Sequence, residues 1–169
     1  EVAPPAADKL AALAAVPVRK GSAMQYGLVL PHLAKVAVAG NGTAGIWRAL
    51  ADGRSLWRAE LHSPGAVSLE LAFDRFFLPQ GAELWLASPD GATVRGPWTD
   101  ADNPANGRFH TPLVWGDTVL VELVVPSALR AQLDLRIAAV GWAFRDVMRT
   151  TGPSQSKSGS CNIDTICPQ

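Results

Sequence analysis

Hydrolytic chemistry is the first possibility the residues raise. His32, His62 and His110 are the side chains able to activate a nucleophile, and serines and aspartates are plentiful. Acyl transfer on that pattern needs a serine and a histidine that takes its proton. It also needs an aspartate that orients the histidine and backbone N–H groups facing the developing oxyanion. No serine stands in a G-x-S-x-G elbow, and the scattered histidines read as surface or hydrogen-bonded residues. Metal chemistry is the second possibility. Asp90, Asp100, Asp102 and Asn103 are hard oxygen ligands of the kind calcium takes. The EF-hand register nevertheless fails, because Thr111 stands where a bidentate Glu belongs. Asp90, Asp100 and Asp102 are thus calcium candidates that ordinary turn chemistry also explains. Cys161 and Cys167, with no histidine nearby, lack zinc-ligand spacing. No metal or cofactor is expected. Aromatic stacking is the third possibility. Trp47 and Trp57 fall on adjacent strand-like stretches, and exposed on one face they would stack sugar rings as a carbohydrate- or surface-binding module does.

The elements that must position these residues are β-strands. The chain has 169 residues, 48% hydrophobic and 18% charged, enough for one globular domain. Its 15 basic and 15 acidic residues give a net charge of +0, which argues against a nucleic-acid partner. No apolar run approaches the roughly 18 residues of a membrane span, and the N-terminus lacks the basic and apolar regions of a signal peptide. Residues 1–34 read as a leader, with a short helix or loose segment around Leu10 and Leu13. From Lys35 the period becomes two. Val36–Val38, a turn at Gly40-Asn41-Gly42, Ile46–Leu50 and Leu56–Leu61 follow, the last two joined by a turn at Ala51–Arg54. Asn41-Gly42-Thr43 matches a glycosylation sequon, though turn chemistry accounts for it.

Val67, Leu69, Leu71 and Phe73 share one parity, with Ser68, Glu70 and Ala72 between them. Glu83–Ala87 is closed by a strong turn signal, Ser88-Pro89-Asp90-Gly91. Val119–Val124, Leu133–Ile137 and Trp142–Val147 complete the set, with one helical turn at Pro126–Arg130. Short strands with Gly, Pro and Asp turns predict an all-β fold over residues 35–149: an antiparallel sandwich or jelly roll of about eight to nine strands. Residues 150–160 are polar and read as a flexible, cleavable linker. Residues 161–169 carry both cysteines and read as the start of a further domain.

That tail resembles a known family. Ser158-Gly159-Ser160-Cys161-Asn162-Ile163-Asp164-Thr165-Ile166-Cys167-Pro168 is similar to the amino end of the catalytic domain of bacterial lysyl endopeptidases, secreted trypsin-like serine proteases. Glu83–Leu86, Ser88–Gly91, Arg95–Trp98, Thr111-Pro112 and Gly116-Asp117 look like the pro-region of the same precursors. The resemblance implies a secreted or periplasmic precursor: a β-rich pro-region, a cleavable linker, then a protease domain of which only the first residues are present. Such a pro-region assists folding of its own protease domain, its partner, and holds it inactive until it is cut off. It also implies that Cys161 and Cys167 bond to cysteines further along the protease domain. Without those partners the pair is expected to be reduced or closed on itself.

The chain itself is expected to be a monomer and to catalyse nothing. No serine lies in a Gly-Asp-Ser-Gly run, and no histidine lies in the Thr-Ala-x-His-Cys context of trypsin-like enzymes. The whole precursor would be a Lys-specific endopeptidase. Lysines stand at 9, 20 and 35 and then only at 157, while ten arginines fall between 48 and 149. A lysine-free body with one linker lysine suits a neighbour that cuts after lysine, although a GC-rich genome depletes lysine as well. Lys157 and Arg149 are the candidate processing residues.

Overall fold

The computed structural model describes residues 1–17, 24–38 and 44–146. Two five-stranded antiparallel sheets stack face to face, as the alternation of apolar and polar residues requires. One sheet has the order β1 (Gly27–Val38), β10 (Asp134–Ala143), β4 (Ser68–Phe77), β7 (Phe109–His110), with β8 (Val114–Trp115) also on β4. The other has the order β2 (Ile46–Ala49), β3 (Arg54–His62), β9 (Thr118–Pro126), β5 (Glu83–Ala87), β6 (Val94–Trp98). Leu69, Leu71 and Phe73 from β4 and Leu135, Ile137 and Val140 from β10 face Trp57, Leu84, Leu86, Val121 and Leu123 from the opposite sheet in one core cluster.

Two bulges shape the β10–β4 pairing of the first sheet. In β10 the buried set is Leu135 and Ile137, then Val140 and Trp142, so parity switches from odd to even. The register shifts on either side of Ile137 carry that switch. β4 does the same, passing from Phe73 to Phe76. Consequently Leu135, Ile137 and Trp142 belong to one strand, where alternation alone suggests two, and Leu133 stands just ahead of it. β1 begins at Gly27, ahead of the change of period at Lys35. Pro31 hides it in the sequence, and its position on an edge strand tolerates the missing donor.

The turns follow side-chain chemistry. In the β2–β3 hairpin Gly53 adopts φ +83° and Asp52 accepts from the Arg54 backbone and side chain. In the β5–β6 turn Ser88 donates to Asp90 at 2.6 Å and Gly91 N–H bonds back to Ser88. Helix α1 (Ala7–Ala14) buries no residue fully, yet Val2, just ahead of it, is a core residue whose N–H donates to the His62 carbonyl. The Gly40–Gly42 turn, the Asn41 sequon, Arg149, Lys157, Cys161 and Cys167 lie outside the described residues.

Candidate functional site

Each group of chemistry-bearing residues takes a definite place. His62 ends β3 with its Nε2 3.5 Å from Asp117, whose carboxyl is held below the usual carboxylate range by the Thr118 hydroxyl and then by His62. Ser63 follows in sequence, but it is fully buried, so its hydroxyl cannot meet a substrate. His110 is exposed on β7 in the other sheet, where it pairs with Ala72 of β4.

The calcium candidates are spent on turns and lie apart. Asp90 accepts from the Ser88 hydroxyl and the Ala92 N–H, which together lower its pKa. Asp102 accepts from the Thr99 N–H at 2.7 Å in a capping box, and Asn103 clamps both the N–H and the carbonyl of Leu78 at 2.8 Å. β6 runs between Asp90 and Asp100, separating them by about 3.3 Å per residue of strand. Among the described residues no three His, Cys, Asp or Glu side chains converge on a common centre.

The tryptophan platform is corrected by burial. Trp47 and Trp57 are cross-strand partners on one face, but that face points inward. Trp57 is 0% exposed and donates to the Ala44 carbonyl, while the Arg130 guanidinium lies 3.9 Å from the centre of the Trp47 ring. Neither ring offers a plane to a sugar. β2 and β3 alternate correctly, and the side that faces the core is set by the opposing sheet, which a local reading of the sequence does not contain.

A different place was missed by motif reading: the corner where β10 ends. The Phe144 and Arg145 N–H groups both donate to the Tyr26 carbonyl, at 2.9 and 3.2 Å. One guanidinium nitrogen of Arg145 reaches the carbonyls of Leu13, Ala14 and Val16 at 3.0 to 3.1 Å, satisfying the open end of α1. Beside this knot a cavity of about 170 Å³ opens between β1, β10 and β4. Gly141 forms its floor, paired with Val29 on one side and Glu70 on the other. The Glu70 side chain lies across Gly141 so closely that a Cβ there would collide with it. Gly141 is the one signal in the sequence for this site, since a glycine inside a strand marks a close approach.

The comparisons with known proteins agree with these limits. The family model described as the lysyl endopeptidase N-terminal domain matches residues 1–144, from ahead of α1 to one residue past β10. The chain belongs to that family. A lysyl endopeptidase of Pseudomonas aeruginosa is 28% identical over 172 aligned positions, covering 98% of this chain. The chain spans 36% of that relative's length. No solved structure matches the chain. The lysyl endopeptidase N-terminal domain is therefore the two-sheet sandwich itself, with α1 and Val2 attached. Among the described residues no helix is long and apolar enough to cross a membrane.

Proposed function

We propose that this chain is the non-catalytic pro-region of a secreted trypsin-like, Lys-specific endopeptidase. It assists the folding of its own protease domain and inhibits it until the 150–160 linker is cut, with Lys157 the favoured residue and Arg149 the second. The observation that carries this reading is the family match over residues 1–144. The lysine distribution supports it: between Lys35 and Lys157 every cationic side chain other than histidine is an arginine. From β2 through β10 the sandwich thus offers a Lys-specific enzyme no lysine to cut, Lys9 in α1 and Lys35 in β1 being the exceptions among the described elements. The buried Ser63 and the inward tryptophans favour this reading over an enzyme or a glycan-binding module. On it, Cys161 and Cys167 pair with cysteines of the protease domain.

The test is refolding in trans. Denatured protease domain is diluted into buffer with and without micromolar chain, and lysyl-ester hydrolysis is followed. A gain in refolded enzyme, together with inhibition of enzyme already folded, is the expected result. Neither effect at micromolar chain would overturn the proposal.

A further inference from the structure

The corner where β10 ends differs from the rest of the surface. Six large apolar side chains stand exposed among the described residues; Tyr26 and Val29 line the cavity here, and the backbone of Val16 is held beside it by Arg145. Tyr26 and Val16 are tied through their carbonyls to the Arg145 segment, and Val29 is the β1 partner of Gly141. Among them opens the cavity over Gly141, walled also by Met24 and Leu113. At about 170 Å³ it is too small for a cofactor-sized ligand and has room for one long side chain.

Its one charged group is the Glu70 carboxylate, and the Gln25 amide that also lines it bonds to the Gly27 carbonyl at 3.4 Å. Further along the same outer face, Asp74 is paired with Arg136 at 2.6 Å and Asp134 with Arg75 at 3.5 Å. Half-buried Glu70 has no hydrogen bond or ion pair among the described residues. An unpaired carboxylate in mostly apolar surroundings is costly, and a cation on an alkyl stem relieves the cost while its methylenes cover the walls. Lysine and arginine have that shape.

We propose that this corner is the seat of the protease domain, which inserts a lysine or arginine side chain against Glu70 and rests on Tyr26, Val29 and Val16. This inference rests on the pro-region reading. The protease domain is favoured over other occupants for two reasons. The chain passes on from Asp146, one residue after the Arg145 N–H that bonds to Tyr26 of the cavity wall, so in the precursor whatever follows is tethered near it at high effective concentration. A second copy meeting this corner about a two-fold axis would instead set one Glu70 against the other, with Arg145 engaged on α1.

The test compares inhibition of the mature protease domain by the full chain and by Glu70→Gln, Glu70→Lys, Val29→Asp and Ile46→Asp. Ile46 is 76% exposed on β2 of the other sheet and serves as the control. Thermal melts confirm that each variant is folded. Glu70→Gln should raise the inhibition constant about tenfold at low salt, with the gap narrowing at high salt. Glu70→Lys and Val29→Asp should raise it further, and Ile46→Asp should leave it within about twofold. Unchanged inhibition by folded Glu70→Lys and Val29→Asp overturns the inference and leaves the pro-region reading standing. A dimer of the wild-type chain that Val29→Asp dissolves without altering inhibition would assign the corner to a second copy. No inhibition by the wild-type chain would remove this inference, and the pro-region reading falls with it when refolding assistance is absent too.

Discussion

Trp57 shows how one side chain can anchor an edge. Its indole fills the core beneath β2, and its N–H holds the Ala44 carbonyl at 2.9 Å. Trp57→Ala should therefore destabilise the fold by about 3–5 kcal/mol, read from denaturant unfolding. Arg130→Ala should shift tryptophan emission by uncovering Trp47, and soluble polysaccharide should leave that emission unchanged. Asp90 gives a pH prediction. Its pKa in the fold is lowered by the Ser88 hydroxyl and the Ala92 N–H, so its stabilising contribution is complete above the ordinary carboxylate pKa of about 4. The contribution is lost as pH falls through the lower, folded value. Ser88→Ala should thus lower the melting temperature near neutrality while making it fall less between about pH 4 and pH 2. Equal slopes for the two proteins would show that the turn hydroxyl has no such role.

At the scale of elements, α1 is the segment whose order depends on a distant residue. It is eight residues long and buries none fully, and helices this short are marginal in isolation. Arg145 closes its C-terminal end. Arg145→Ala should speed amide exchange at Leu10 and Ala15, which bond to Ala6 and Ala11, while leaving core-strand amides such as those of Val121 and Leu123 protected. The sequence showed the strands that alternate cleanly, β3, β9 and the first half of β4, and the hairpin turns at Asp52-Gly53 and Ser88–Gly91. It did not show β10 as one strand, because a bulge reverses parity at Ala138-Ala139, nor β7 and β8, which are too short for any period. The corner site was the least legible. Glu70 reads locally as an ordinary outward residue of an alternating strand. Its setting depends on Gly141, 71 positions later, and on Val29, which a proline-containing edge strand supplies.

For the whole molecule, the core cluster among the described residues runs from Val2 to Trp142 and joins both sheets. Replacing Cys161 and Cys167 by Ser should therefore move the melting temperature by no more than about one or two degrees. A larger fall would place the tail on the sandwich. The position of β10 has a mechanical consequence. It is the last strand among the described residues, and it is hydrogen-bonded along its length to β1 on one side and β4 on the other. A load entering at Asp146 runs along the axis of a central strand. The two ladders must then yield together in shear, whereas an edge strand would peel away one bond at a time. Pulled from residue 146 against an anchor on β1, the sandwich should rupture in a single high-force event. Pulled between Ile46 and Ala59, across the β2–β3 edge, it should open at markedly lower force. The joint most exposed to traction is thus fastened to the least peelable strand of its sheet.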